Sequence, residues 1–239
     1  MSIPERRETA ILVPVAHHIE PLCEAGLTEL ERMGYPVFRV RGHSDIARGR
    51  SQMATQALEQ GHRALMWIDA DMMFVPEDVD RFRQGEHALV GGVYPVKGQR
   101  RLTMRPLPGT TELMFGEQGD VVEVLYLATG FLYSRAEVYA DVQRRLELPR
   151  CGTDPTDAAI PFFLSVVAND GGTPTYLSED FSFCYRARVA GHRVMADTRV
   201  RLGHIGSYVY TVEDAGRERV LHPSFRFRLL DEHDTLPGQ

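Results

Sequence analysis

The stretch Ala64-Leu65-Met66-Trp67-Ile68-Asp69-Ala70-Asp71-Met72-Met73-Phe74 is an apolar run that breaks into two carboxylates one residue apart. A strand covered by helices on both faces loses the apolar/polar alternation and becomes continuously hydrophobic, so residues 64–68 read as a buried parallel strand. Asp69 and Asp71 then stand at its carboxyl end, where open α/β sheets bind ligands. As residues i and i+2 of an extended chain they project to one side. Two carboxylates held that close repel each other, so a divalent cation or a basic partner is expected with them.

Upstream, residues 9–15 form a short β-rich apolar run, followed by polar His17, His18 and Glu20 and a helical pattern to Gly34. Residues 36–40 read as a second strand and 45–61 as a helix, with Asp45 as N-cap and Gly61 as its stop. Arg48 and Arg50 fall in that helix's first turn, where the dipole disfavours cations unless an anion is near.

Downstream come a short helix over 76–82 and a strand over 88–94, whose Gly91-Gly92 permits close backbone approach. A basic loop follows, Gly98-Gln99-Arg100-Arg101, and then residues 106–119, whose turn chemistry and weak periodicity predict a mobile loop. Residues 121–127 read as a strand, and 128–137 as a small-residue turn and hydrophobic segment entering a helix. Residues 148–174 resist assignment. Ser178, the acids Glu179 and Asp180, late arginines and Gly191 outline a further helix, and a strand over 193–201 leads to Gly203-His204-Ile205-Gly206.

Strands alternating with helices over 239 residues predict a single α/β domain with a mixed, mostly parallel central sheet flanked by helices. The net charge of −6 argues against a general nucleic-acid or membrane-surface binder. Cys23, Cys151 and Cys184 are odd in number and lack metal-type spacing, which suits reduced thiols and a cytoplasmic setting. The amino-terminal residues are polar, and no apolar run approaches the length of a membrane span.

Asp69-Ala70-Asp71 after a hydrophobic strand, with Pro76-Glu77-Asp78 opening a helix behind it, resembles the DxD motif of nucleotide-sugar glycosyltransferases of the GT-A fold. The ending of the first strand in Val13-Pro14-Val15 is similar to the turn that lies against the nucleotide base in that family. The run Ile46-Ala47-Arg48-Gly49-Arg50-Ser51 looks like the Ala-Arg-Asn-rich nucleotide element of family-two enzymes, but lacks the asparagine. Arg48 alone is carried over from it, with Asp45 as a possible base or ribose contact. The turn at Thr129-Gly130 resembles the floor of the acceptor side, and Glu179-Asp180 resembles the catalytic element of inverting enzymes.

The resemblance covers roughly residues 9–207 and implies a nucleotide-binding half over about 8–97, an acceptor-side half over about 98–207 and a tail over 208–239. It implies a donor site of Pro14, Val15, Asp45, Arg48, Asp69, Ala70 and Asp71, with Thr129 and Gly130 on the acceptor side. Asp71 would bind metal directly, Asp69 the ribose or the metal through water, and His204 would complete the ligands. A carboxylate and imidazole set suits Mn²⁺ better than Mg²⁺. The implied reaction is metal-dependent transfer from a UDP- or GDP-sugar to an acceptor hydroxyl, inverting, with Asp180 as base and Glu179 second to it. A retaining transferase, a nucleotidyltransferase and a noncatalytic nucleotide-sugar binder are the alternatives. The tail, with Tyr208, Tyr210, Arg217, Arg219, His222, Arg226 and Arg228, is expected to close over the diphosphate or to form a subunit contact in a homo-oligomer.

Overall fold

The structure, a computed structural model, describes residues 3–42, 44–152, 154, 157–170, 172–215 and 224–228. The first third of the chain lays down β1 (Thr9–Val15), α1 (Pro21–Arg32), β2 (Val37–Arg41), α2 (Ile46–Glu59) and β3 (Ala64–Ile68). Then come β4 (Met72–Met73), α3 (Glu77–Gln84), β5 (Leu89–Gly92), β6 (Met104–Pro106), β7 (Glu112–Gly116), β8 (Val121–Leu127), β9 (Phe131–Arg135) and α4 (Ala136–Leu146). The last part holds β10 (Val166–Asp170), β11 (Thr173–Leu177), α5 (Glu179–Val189), β12 (Val194–Asp197), β13 (Gly203–Ile205), β14 (Val209–Tyr210) and β15 (Ser224–Arg228).

Eight strands form one sheet in the order β2-β1-β3-β9-β5-β12-β8-β6. β1 pairs in parallel with β2 and β3, and β12 in parallel with β5. β9 runs antiparallel to both neighbours, β3 and β5, so those two point the same way. β3 is buried along its whole length, as its uninterrupted apolar run requires. Its side chains divide between two cores. Leu65 and Trp67 pack with Met53 and Ala57 of α2, Tyr139 of α4 and Phe183 of α5. Ala64, Met66 and Ile68 pack with Leu27 of α1 and Phe82 of α3 on the other face. The two helix layers thus follow from the period-2 alternation of a strand that is apolar on both sides.

Helix α2 begins and ends as its sequence dictates. Asp45 accepts from the backbone N–H groups of Ala47 and Arg48 at 3.0 and 3.3 Å, and Gly61 takes φ 90° just past the end. Ser178 precedes α5 in extended backbone, but its hydroxyl is given to the Asp180 carboxylate instead of capping the helix.

Two segments differ from the sequence expectation. Residues 131–135, read as part of the entry into a helix, form β9 in the middle of the sheet, and the helix starts only at Ala136. Phe131, Leu132, Tyr133 and Ser134 are all buried, which favours a two-faced strand over a one-sided helix. The stretch 106–119, expected to be a mobile loop, contains β7, which pairs antiparallel with β15. Its partner lies more than a hundred residues away, so no local pattern announces it. In the unassigned 148–174 region, Cys151 bridges Ala159, Phe162 and Phe163 are buried, and β10 pairs with β11 as a hairpin. Of the tail residues, Arg217, Arg219, His222 and 229–239 lie outside the described residues. All three cysteines are free thiols.

Candidate active site

Asp69 and Asp71 follow β3 directly, beside the start of β9 and the end of β5. Their two carboxylates take different partners. Asp69 Oδ1 accepts from Arg50 Nη2 at 2.7 Å, while Asp71 Oδ2 accepts from Lys97 Nζ at 2.5 Å. The expected basic partners therefore exist within the chain, one for each acid.

Arg50 is the residue that ties the site together. Its side chain is only 4% exposed, its Nε lies 3.6 Å from Glu179 Oε1, and its guanidinium carbon sits 5.4 Å from the Trp67 ring centroid. It spans from the end of β3 to the start of α5 and explains why a cation is tolerated near the start of α2: the offsetting anions are the chain's own carboxylates. Nε and Nη1 are buried with no hydrogen-bond partner among the described residues.

At the start of α5, burial pushes both the Glu179 and Asp180 carboxyls above their ordinary values. For Glu179 the neighbouring Asp180 adds to the rise and Arg50 opposes it. For Asp180 the opposing influences are the Ser178 hydroxyl, the Phe181 N–H and Arg50, while Asp69 adds to the rise. Asp180 Oδ1 receives both of these hydrogen bonds, from Ser178 and, at 2.7 Å, from Phe181, leaving Oδ2 without a partner among the described residues.

On the opposite flank, His204 lies on β13, which pairs antiparallel with β4 immediately after Asp71. Its Nδ1 is 3.0 Å from the Pro95 carbonyl; a carbonyl only accepts, so Nδ1 carries a proton and donates there, and Nε2 is left to face Asp71. That Nε2 faces Asp71 Oδ2 at 3.6 Å. Burial raises the Asp71 carboxyl, but His204 and Lys97 outweigh it and hold the group at about 2. A histidine whose second nitrogen is fixed by a backbone carbonyl is oriented as metal ligands usually are.

Asp71 and His204 are the two residues that would hold a divalent ion, and Lys97 pairs with the same Asp71 oxygen. Asp69 faces Arg50 instead, and no group of three His, Cys, Asp or Glu side chains is clustered as for a metal among the described residues.

The remaining expected residues take the following positions. Pro14 and Val15 are buried at the end of β1, and the Ala70 carbonyl accepts from Glu20 N–H at 2.8 Å. Asp45 is occupied as a helix cap. Arg48 forms a two-point pair with Asp157 at 2.7 Å, both side chains being more than half exposed. Gly130 donates its N–H to the Tyr94 hydroxyl at 3.0 Å and accepts from Asp69 N–H with its carbonyl. A Cβ there would lie 2.2 Å from that hydroxyl and 3.1 Å from Asp69 Oδ2, so only glycine fits. Thr129 Oγ1 is buried without a partner among the described residues. The structure adds Arg50, Tyr94 and Lys97 to the site. Arg50 is buried on α2 whereas Arg48 is exposed.

No family model matches the chain, and no curated protein matches it. Among solved structures, A197 from STIV is similar to it, with 14% identity and a TM-score of 0.60 over 96% of this chain and 98% of that one. GalNAc-T7, crystallised with UDP, GalNAc and Mn²⁺, is 12% identical with a TM-score of 0.44, over 86% of this chain and 44% of that one. S. aureus TarS 1-349 gives 11% and 0.40, over 80% and 58%. The fold is shared with A197 over nearly the full length of both chains. It is a mixed α/β sheet between helix layers. Among the described residues no helix is long and apolar enough to cross a membrane.

Proposed function

We propose that this chain is a metal-dependent glycosyltransferase that moves a sugar from a nucleoside-diphosphate sugar to an acceptor hydroxyl. The observation that carries the reading is the Arg50 bridge. It couples Asp69, beside the Asp71–His204 pair suited to a cation, to the acidic start of α5, so that donor-type and base-type chemistry share one site.

In this reading Asp71 and His204 would hold a divalent cation, Mn²⁺ in preference to Mg²⁺ because one ligand is a nitrogen. Bound there, it would supply charge neutralisation for the leaving diphosphate. Asp180 takes the acceptor proton on Oδ2 as the acceptor oxygen bonds to the anomeric carbon. The bond from that carbon to the diphosphate oxygen breaks, and the nucleoside diphosphate leaves with its electron pair. Burial favours this assignment, because a carboxyl raised above its ordinary value is a stronger base. Glu179, turned toward Arg50, keeps the guanidinium and α5 in place. Gly130 and Tyr94 form the floor beside Asp69, and Thr129 offers an unpaired hydroxyl next to it. Pro14 and Val15 would line the base, and Asp45 and Arg48 the outer rim of the nucleotide site, Arg48 after release from Asp157.

Calorimetric titration of UDP and GDP, each with and without Mn²⁺, into the wild type and Asp71→Ala tests the reading. The expected result is binding of one nucleotide that requires Mn²⁺ and disappears in the variant. Binding of neither nucleotide to a folded protein overturns the donor-site assignment.

A further inference from the structure

Lys97 is the one site residue that competes directly with the proposed ion. Its ammonium lies 2.5 Å from Asp71 Oδ2, the same oxygen that His204 Nε2 approaches at 3.6 Å. It is not a stray surface charge. Pro95 bridges Leu102, and Val96 N–H donates to the Arg101 carbonyl at 2.8 Å, so the backbone that carries Lys97 is pinned on its approach to the site. The same Pro95 carbonyl orients His204. The lysine stem runs over Gly206, where a Cβ would lie 3.2 Å from Lys97 Cδ and 3.2 Å from the Tyr210 ring; the absent side chain leaves the stem its path. Two-thirds of the Lys97 side chain is removed from solvent.

We propose that Lys97 is the resident counter-ion of the donor site, and that a divalent cation loads by displacing it from Asp71. Loading is then an exchange of one cation for another. The carboxylate is never left uncompensated, and the freed ammonium remains on its stem beside the site where the diphosphate binds. A divalent ion and an ammonium cannot both occupy the near side of one carboxylate oxygen, because like charges that close repel each other. Lys97 therefore weakens ion binding in the protein without nucleotide, and this inference rests on the glycosyltransferase reading only for the identity of the site.

The test is direct Mn²⁺ binding to the full chain, read as loss of the free-ion electron paramagnetic resonance signal, with no nucleotide and no turnover. Wild type, Lys97→Met, Lys97→Arg and Asp71→Asn are compared, each checked for folding by circular dichroism. Lys97→Met keeps the stem and removes the charge, so Mn²⁺ should bind about 5- to 10-fold more tightly. Lys97→Arg keeps a cation and should give no tightening, and Asp71→Asn should abolish binding. Binding in Lys97→Met that is unchanged or weaker, while still lost in Asp71→Asn, overturns the exchange and leaves the metal site standing. Absence of Mn²⁺ binding in every variant, or its persistence in Asp71→Asn, overturns the metal site itself and the exchange with it.

Discussion

Replacing Arg50 by methionine separates the two halves of the site without changing much volume. In the wild type the guanidinium is 4% exposed, and its partners Asp69 and Glu179 are 29% and 19% exposed. Removing one member of a buried ion pair costs about 3–5 kcal/mol, because the other is left uncompensated, and the partial exposure of both acids points to the lower end, about 3 kcal/mol. With a urea slope of about 2–3 kcal/mol/M, the unfolding midpoint should fall by about 1 M at neutral pH. The loss should also depend on pH in a definite sense. Burial raises the Glu179 and Asp180 carboxyls and Arg50 pulls both down, so in the variant they rise further. A carboxyl raised in the folded state binds more protons folded than unfolded, and its effect on stability becomes less unfavourable as pH falls toward the ordinary carboxylate range. The difference between wild type and Arg50→Met should therefore shrink between pH 7 and about pH 5. Urea unfolding followed by the fluorescence of Trp67, which lies under Arg50, measures both. A loss below about 1 kcal/mol, or one that does not vary with pH, refutes Arg50 as the electrostatic link.

Three further predictions concern individual carboxylates. The Ser178 hydroxyl lowers the Asp180 carboxyl, so Ser178→Ala should move the acid limb of transfer activity to higher pH, whereas Asp180→Asn should remove the transfer step while leaving Mn²⁺-dependent nucleotide binding intact; kcat/KM profiles and calorimetry check this. Asp80 receives hydrogen bonds from Arg6, Tyr35 at 2.6 Å and Arg83 at 2.8 Å, which outweigh burial and hold its carboxyl well below the usual range. A depressed carboxyl stabilises the fold above its unfolded value near 4 and loses that contribution as pH falls. Asp80→Asn should therefore cost about 2–4 kcal/mol at pH 7 in urea unfolding, and the gap to wild type should close as both are taken below about pH 3.

What could be read from the sequence was whatever depends on neighbours along the chain. β3, β8, the limits of α2 and the acidic start of α5 follow from local periodicity and end signals, and the structure has them where those signals fall. β9 escaped because a short apolar segment buried on both faces has no period to distinguish strand from helix; its place between β3 and β5 is decided by pairing with residues more than forty positions away. The same distinction runs through the site. That Asp69 and Asp71 would need basic partners was legible, since repulsion between adjacent carboxylates is a local fact. Which cations would answer was not. Arg48 and Arg50 are equivalent in a linear reading, but two positions along a helix turn the side chain by about 200°, and that rotation sends Arg48 outward to Asp157 and Arg50 inward to Asp69 and Glu179. Lys97 looks like the first charge of an exposed basic loop until β13 places His204 and Gly206 beside it. The acids carry the local signature of the chemistry, whereas the cations that set the acids' charge state are selected by the fold, so the electrostatics of this site belongs to the tertiary structure even though its carboxylates announce themselves in the sequence.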